Sequence, residues 1–339
     1  MNKANATSAD VAQLAGVSQS TVSRSYDPNS RISKSTRQKV FAAAEKLHYQ
    51  VNKAAQTMIN KRSDLVGLVT AGLGDPFRSE FLNSLVLAVQ EKGLRPMIID
   101  VTDEQMLDQQ LQTLLQYQLS GVIITSGTPS EAVANAFIAR GTPVVLVNRA
   151  DHSSEADIIN FDNEAAGRLA AQEFVAAGKH KVMVVRSKVS SYSSVMRSNG
   201  FKGALLEPMR DSSIQVEERF CELGDYDSGI IFGKELIASG GMPDGIFFCM
   251  DYIACGFIDA IKHSGVYSIP RDVAIIGCDD ITIARYQAYA LTTIRQSAKE
   301  MASSAVSALQ ARLDHPSAPP IQQKIGAAVI FRHSFVPNH

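Results

Sequence analysis

The chain has 339 residues, of which 45% are hydrophobic, and its formal net charge at pH 7 is −1. This length and composition suit two or three folded domains and exclude a low-complexity protein. No run approaches the roughly 20 apolar residues that cross a bilayer, and residues 1–20 lack the apolar region of a secretion signal, so we expect a cytoplasmic protein.

Residues 7–26 predict two short helices joined by a tight turn. Thr7 precedes Asp10 by three residues, the capping-box spacing that starts a helix, and Gly16 can end that helix in a left-handed conformation. Ser18 is the N-cap candidate of the second helix. Such a pair forms a helix-turn-helix, whose second helix enters the major groove of DNA. An ordinary helical hairpin is the alternative.

Charge is distributed unevenly along the chain. The first 62 residues contain ten basic and three acidic residues, a formal charge of +7, whereas the remainder carries −8. A basic face can be merely solvated, but a basic segment that coincides with a helix-turn-helix predicts that this segment binds nucleic acid.

Two further segments complete the N-terminal region. Ser33 is predicted to cap a third helix over 34–48, whose apolar stripe packs under the first two helices. The stripe consists of Val40, Phe41, Ala44 and Leu47. Residues 51–62 are weakly amphipathic, and a helix of that length is marginal alone, so we expect a linker that becomes helical only when DNA or a partner chain supports it.

From Asp64 onwards, apolar strand-like runs alternate with helical stretches. The first series of strands is predicted at 65–69, 96–101, 122–125 and 144–147, and the second at 158–161, 182–185, 246–249 and 273–277. Helices are predicted at 77–92, 104–118, 130–140, 164–177, 195–207, 227–238 and 253–263. This alternation predicts an α/β core of two doubly wound parallel-sheet lobes, with ligands bound at the carboxyl ends of the strands.

The cysteines lie in apolar surroundings and lack the spacing of metal ligands. They are Cys221, Cys249, Cys255 and Cys278. We expect reduced, buried, structural thiols, with no metal and no cofactor.

Several motifs occur in a characteristic order. They are DVAQLAGVSQSTVSR at 10–24, RISKSTRQKV and AAEKLHY within 31–49, DPF at 75–77, FDNEAAGR at 161–168, RSNGF at 197–201, IPRDVAIIGCDD at 269–280 and ALTTIRQ at 290–296. Together they resemble the lactose-repressor (LacI/GalR) family of bacterial transcription regulators over nearly the whole chain. The resemblance implies a repressor of a carbohydrate or sugar-acid catabolic operon that binds a near-palindromic operator as a homodimer.

The resemblance also implies the domain organisation. Residues 1–50 would form the DNA-binding domain, 51–62 the hinge helix, and 63–339 a core like that of periplasmic binding proteins, which dimerises and binds an allosteric effector. The N-lobe would comprise about 63–161 plus 293–322, and the C-lobe about 162–292 plus 323–339.

The family's DNA contacts carry over to positions in both N-terminal segments. Gln19, Ser20 and Arg24 would face base edges, and arginine bidentate to guanine is the commonest specific contact. The residues expected to contact phosphates are Ser18, Thr21, Ser33, Thr36 and Arg37. Ser18 and Ser33 can instead act purely as helix caps. In the hinge the resemblance implies contacts by Asn52, Ala55, Gln56 and Met58, with Met58 where the family inserts a leucine between base pairs.

The family's effector cleft carries over in the same way. Its residues would be Phe77, Arg78, Asn148, Arg149, Phe161, Arg197, Met250 and Asp279. Arg197 would grip effector oxygens, and Asp279 would accept from hydroxyls or amines. The effector would be a sugar, a sugar acid or a sugar phosphate. Three arginines near one cleft favour the anionic classes, because a planar guanidinium makes paired bonds to carboxylate or phosphate.

Two other classes of protein compete with this interpretation. An enzyme is disfavoured because Gly72-Leu73-Gly74 lacks the third glycine of a dinucleotide loop. The adjacent Asp279 and Asp280 would also diverge if extended, which makes them a poor acid–base pair. A transport-type sugar-binding protein would share the two-lobed body but would need an export signal and no basic helix-turn-helix.

The hinge position generates the first prediction. Met58→Ala should weaken operator binding in a gel-shift titration, because it removes the apolar wedge from the minor groove, and should leave the core folded. Unchanged affinity would remove the wedge role from Met58.

Overall fold

The structure, a computed structural model, describes residues 6–27, 30–50, 63–101, 106–125, 131–149, 156–206 and 214–337. The chain divides into two compact units, residues 1–63 and 64–339. Among the described residues, no helix combines the length and apolar character needed to span a bilayer.

The N-terminal unit contains α1 (Ser8–Ala15), α2 (Gln19–Ser25) and α3 (Lys34–Lys46). The predicted capping box is confirmed: the Thr7 hydroxyl accepts the N–H of Asp10 at 3.3 Å, and the Asp10 carboxylate accepts the N–H of Thr7 at 2.8 Å. Gly16 ends α1 with a φ of 66°, in the left-handed region that favours glycine. Val11, Val22 and Val40, one from each helix, are at most 1% exposed and form the centre of a small apolar core.

Two details of α3 differ from the sequence prediction. The helix ends at Lys46 rather than His48, because His48 has a φ of 49°, which is outside the right-handed helical region. Phe41 is 43% exposed, and Ala43 takes the buried position in its place. The Phe41 ring instead contacts Tyr26, with ring centroids 5.0 Å apart.

The second unit consists of two lobes, each built on a sheet that has six strands within the described residues. The first sheet contains β1 (Leu65–Thr70), β2 (Arg95–Asp100), β3 (Gly121–Ile124), β4 (Val144–Val147), β5 (Asp157–Phe161) and β11 (Gln322–Ile325). Its strand order is β11-β5-β4-β3-β1-β2, and every pair is parallel. All residues of β3 and β4 are buried, as expected of a sheet covered on both faces.

The second sheet contains β6 (Lys181–Ser187), β7 (Gln215–Cys221), β8 (Gly245–Phe248), β9 (Ala274–Asp279), β10 (Thr292–Arg295) and β12 (Ala328–Ile330). Its order is β12-β10-β9-β8-β6-β7, with β12 antiparallel to β10 and the other pairs parallel. The two-lobed α/β core predicted from the sequence is thus confirmed.

Helices connect the strands in both lobes. In the first lobe they are α4 (Pro76–Glu91), α5 (Leu107–Leu114), α6 (Glu131–Ala139) and α11 (Ala298–Asp314). In the second lobe they are α7 (Asn163–Ala176), α8 (Tyr192–Leu206), α9 (Tyr226–Ser239) and α10 (Asp251–Ser264). The cysteines are buried and unpaired, as predicted.

The strand assignments need three corrections. β5, which opened the second predicted series, pairs with β4 and belongs to the first sheet. The chain returns to the first lobe only after Arg295, because β10 pairs with β9, so the predicted N-lobe segment 293–322 begins too early. It also ends too early, because β11 pairs with β5 in the first sheet.

The predicted strands do not include β7, β10 or β11. β7 shows why. As an edge strand it pairs only with β6, and its sequence carries charges on its outer positions, so it lacks the apolar run that marks the other strands. The helix at 298–314 was also not predicted; Ser297 caps its start, with a hydroxyl that accepts the N–H of Glu300 at 3.2 Å.

Helices α7 and α8 pack so closely that glycine is required at the contact. A Cβ atom added at Gly167 would lie 2.0 Å from the carbonyl oxygen of Arg197, and one at Gly200 would lie 2.1 Å from that of Glu164. This close approach positions the turn of α8 that carries Arg197.

The contact predicts opposite results for two glycines of α8. Gly200→Ala should lower the free energy of unfolding by about 1–3 kcal/mol, because the new methyl group overlaps backbone. Gly203→Ala is the matched control: its Cβ meets no atom within 4 Å, and alanine should be neutral or stabilising by about 0.5–1 kcal/mol. Urea unfolding measures both, and equal destabilisation would contradict the packing argument.

Candidate DNA-binding helix and effector cleft

Helix α2 presents a polar face to solvent. Val22 is buried on its inner side, whereas Gln19, Ser20 and Arg24 are exposed. Gln19 Nε2 donates to the hydroxyl of Ser8 at 2.7 Å, and Arg24 Nε donates to the carbonyl of Ser20 at 3.3 Å. The three residues predicted to read bases therefore share the accessible side of the helix.

The residues predicted to contact phosphates lie near the starts of α2 and α3. The Ser18 hydroxyl accepts the N–H of Thr21 at 3.2 Å, and the Ser33 hydroxyl accepts the N–H of Thr36 at 3.1 Å, so both serines cap helices. Arg37 Nη2 donates to a backbone carbonyl of the loop before α3 at 2.8 Å. A phosphate contact by these residues stays a prediction. The predicted hinge contacts Asn52, Ala55, Gln56 and Met58 lie outside the described residues.

A cleft of about 670 Å³, including its open mouth, lies between the two lobes at the carboxyl ends of their strands. The predicted effector residues that line it are Phe77, Arg78, Asn148, Arg149, Arg197, Met250 and Asp279. Lining residues that the sequence argument missed are Asp75, Phe81, Thr125, Val147, Ser191, Ser193, Ser194 and Gln296.

Phe161 does not line the cleft. It is 2% exposed, since its side chain packs into the apolar core at the end of β5. The Arg197 guanidinium lies 5.6 Å from the centre of its ring, a cation–π contact, so Phe161 supports a cleft residue from beneath.

Arg197 forms the floor of the cleft and is only 3% exposed. Its Nε donates to Asn163 Oδ1 at 2.9 Å, and its Nη1 donates to the carbonyl of Cys249 at 2.7 Å. Nη1 also donates to Asp279 Oδ1 at 2.8 Å, and Nη2 donates to Gln296 Oε1. Asn163 begins α7, Asp279 ends β9, and Cys249 and Gln296 directly follow β8 and β10. One guanidinium therefore joins the ends of three strands of the second lobe.

Asp279 is held in a strained turn. It has a φ of 130°, and Asp280 has a φ of 58°, a region that residues other than glycine rarely adopt. The buried Asp280 carboxylate accepts from Arg295 Nε at 2.7 Å, Arg332 Nη2 at 2.5 Å and Arg285 Nη2 at 3.3 Å. These bonds hold the turn and direct the two carboxylates apart.

A third carboxylate, Asp251, is fully buried behind the turn. Its oxygens accept from the Thr293 hydroxyl at 2.7 Å and from the N–H of Ile281 at 3.1 Å. Burial raises the pKa of Asp251 to about 7 despite these bonds. Burial also raises the pKa of Asp279, and the Arg197 guanidinium opposes that rise.

The other two arginines of the cleft are engaged by backbone. Arg149 Nη2 donates to the carbonyl of Thr125 at 2.6 Å, and its Nη1 donates to the carbonyl of Asn148 at 3.0 Å. Arg78 Nη1 donates to the carbonyl of Ala71 at 2.9 Å. Each guanidinium therefore spends part of its donor set on backbone while it lines the cleft.

The missed residues differ in how visible they are in the sequence. Asp75 and Gln296 stand inside the DPF and ALTTIRQ motifs, so closer attention to those motifs could have found them. Ser191 immediately precedes α8, and Ser193 and Ser194 lie in its first turn; their spacing carries no signal in the sequence.

The cleft offers polar groups and an apolar surface together. Phe77 and Phe81 stack with ring centroids 6.1 Å apart, beside the carboxylate, amide and hydroxyl groups contributed by both lobes. Such a mixture suits a polar small molecule that has an apolar face.

Each of the two units contains a segment that matches a known protein family. Residues 7–52 match the model of bacterial regulatory proteins of the lacI family, and residues 171–335 match a periplasmic binding protein-like domain. The ribose operon repressor of Haemophilus influenzae is 30% identical over 316 residues, covering 92% of this chain and 93% of the relative. That of Lactococcus lactis is 32% identical and covers 86% of each chain. The chain belongs to the LacI family.

Solved structures extend the comparison to the fold. The lac repressor dimer bound to operator and an anti-inducer has a TM-score of 0.84 at 25% identity, covering 98% of this chain and 99% of that chain. A LacI family regulator from Enterococcus faecium with bound ribose has a TM-score of 0.71 at 21% identity, covering 81% of this chain and all of that chain, which shows the fold alone. As a LacI family member the chain is a DNA-binding transcriptional regulator, and the enzyme alternative is excluded.

The raised pKa of Asp251 predicts how stability depends on pH. The folded state holds the proton of the Asp251 carboxyl more tightly than the unfolded state does. The stabilisation that this protonated carboxyl contributes is therefore complete below about pH 4 and is lost as the pH rises towards 7. Between pH 4 and 8 the free energy of unfolding should therefore fall by roughly 2–4 kcal/mol less in Asp251→Asn than in the wild type.

Urea unfolding across that pH range measures the difference between the wild type and Asp251→Asn. Asp227→Asn, at the exposed start of α9, is the control and should follow the wild-type profile. If Asp251→Asn also follows the wild type, the buried carboxyl does not titrate as proposed.

Proposed function

We propose that this chain represses a sugar-catabolic operon by binding a near-palindromic operator as a homodimer, under the control of a neutral sugar in the inter-lobe cleft. The observation that carries the proposal is a cleft lined by both lobes, in which two carboxylates face three arginines. The cleft would serve as the effector site and the exposed helix α2 as the DNA-binding element, the two sites that allosteric control requires.

The DNA-binding half of the proposal rests on α2. Gln19, Ser20 and Arg24 are exposed together, on a segment whose formal charge is +7. Arginine reads guanine through two parallel bonds, and the shorter polar side chains can bond to other base edges. The structural relative bound to operator DNA supports the same use of this helix.

Exposed apolar residues support a homodimer. Leu87 on α4 is 52% exposed, and Ile98 on β2 is 48% exposed. β2 is an edge strand, so its outer side has no neighbour within the described sheet. A second copy of the chain, related by a two-fold axis, would cover such a surface. The same symmetry would place two recognition helices over the two halves of a near-palindromic operator.

Charge favours a neutral sugar over the anionic classes. Two carboxylates, Asp75 and Asp279, line the same cleft as Arg78, Arg149 and Arg197. These carboxylates repel an anion and can accept hydrogen bonds from sugar hydroxyls, and Arg197 already donates to four acceptors of the protein.

The relatives narrow the class of sugar. Two of them are ribose operon repressors, and a structural relative holds ribose. We therefore take D-ribose as the first candidate. A ligand shifts the lobes only through its different affinity for two arrangements, and such coupling amounts to about 1–3 kcal/mol.

The DNA-binding half is tested with DNA from upstream of the chain's own gene. Arg24→Ala should weaken binding by roughly 1–3 kcal/mol in a fluorescence anisotropy titration, because it removes a bond to a base. Lys46→Ala changes charge equally at the exposed end of α3 and should have a smaller effect. Equal losses of DNA affinity in Arg24→Ala and Lys46→Ala would show that Arg24 contributes only its positive charge.

The effector half is tested by calorimetry with D-ribose, D-ribonate and ribose 5-phosphate on the full-length protein. We expect ribose to bind and to change the affinity for operator DNA, and the two anions to bind more weakly. Tighter binding of either anion would restore the anionic class and contradict the charge argument.

A further inference from the structure

A hydrogen bond runs directly from the first lobe to the second. Glu80 Oε1, in the second turn of α4, accepts the backbone N–H of Thr282 at 2.9 Å. Thr282 lies three residues beyond the end of β9 and immediately precedes the short 3-10 turn Ile283–Arg285. The pair therefore joins a helix of one lobe to the loop that follows a strand of the other.

A second contact supports the first. Phe77, three residues before Glu80, packs against the apolar cluster of the second lobe that contains Ile281 and Ala284. Residues three apart share a face of a helix. The first two turns of α4 thus present an apolar ring and a carboxylate to the same stretch of the second lobe.

The strained turn directs successive N–H groups to acceptors on both lobes. The N–H of Asp280 points to the Thr293 hydroxyl at 3.4 Å, and the N–H of Ile281 donates to Asp251 at 3.1 Å. Both acceptors belong to the second lobe, whereas the next N–H, that of Thr282, donates across to Glu80. The turn that places Asp279 in the cleft also directs Thr282 towards α4.

From this geometry we infer that Glu80 is a positioning residue, a latch whose bond to Thr282 holds α4 of the first lobe against the second lobe and so sets the affinity for effector. The inference rests on the proposed role of the cleft. Phe77, Arg78 and Phe81 of α4 line that cleft. A ligand that touches both lobes favours the arrangement in which the latch is closed, and by reciprocity the closed latch favours the ligand.

The latch itself is tested without any ligand. Amide hydrogen exchange, resolved by residue, compares the full-length wild type with Glu80→Ala and Glu80→Gln. We expect the Thr282 amide to exchange faster in Glu80→Ala and at an intermediate rate in Glu80→Gln, which keeps an acceptor oxygen but loses the charge. The Ile281 amide, bonded within its own lobe, should not change.

Glu91→Ala, at the exposed end of the same helix, is the control and should leave both amides as in the wild type. Unchanged exchange at Thr282 in Glu80→Ala would overturn the latch. So would equal acceleration at Ile281 and Thr282, because that result would mean general loosening of the second lobe.

The effect on the cleft is measured by calorimetry with D-ribose. Glu80→Ala should raise the Kd by roughly three- to tenfold, and Glu80→Gln by less, as expected for a partly exposed bond to a charged group. An unchanged Kd in Glu80→Ala would overturn the coupling. If the wild type does not bind ribose, the sugar assignment fails, and the exchange experiment still decides the latch.

Discussion

The second lobe depends on the burial of one positive charge. A guanidinium that leaves water loses several kcal/mol of hydration, so its N–H groups must find acceptors inside the protein. Arg197 finds them on Asn163, Cys249, Asp279 and Gln296, which approach from separate elements. Satisfying this one side chain therefore fixes where the strand ends meet, and with them the floor of the cleft.

The turn at Asp279 and Asp280 connects the floor of the cleft to the segment in which the chain crosses from the second lobe to the first. Its positive φ values would be unfavourable alone, and they persist because arginines and a buried carboxylate bond to the turn and to the residues around it. Arg295, which bonds to Asp280, is the last residue of β10 before the chain returns to the first lobe. The turn that carries Asp279 is thus bonded directly to a segment that connects the lobes.

The engagement of the arginines changes the chemistry expected of the cleft. Counting Arg78, Arg149 and Arg197 in the sequence suggests a strongly positive site. In the structure Arg197 donates to four acceptors of the protein, and the other two arginines each donate to backbone carbonyls. Asp75 and Asp279 face the same space. Specificity in such a site comes from the direction of hydrogen bonds, and a sugar hydroxyl, which both donates and accepts, fits that arrangement.

The sequence by itself determined the helix-turn-helix, the alternation of strands and helices, and seven of the fifteen described residues that line the cleft. Caps, glycines and apolar runs act over a few residues, so a local pattern such as Thr7 with Asp10 suffices to reveal them. The family motifs added Arg197 and Asp279. Only the tertiary structure decided the edge strand β7, the lobe to which β10 belongs, the burial of Phe161 and the partners of the arginines. These depend on which distant segments become neighbours, and a residue such as Thr282 gains its acceptor 202 positions away only when the lobes meet.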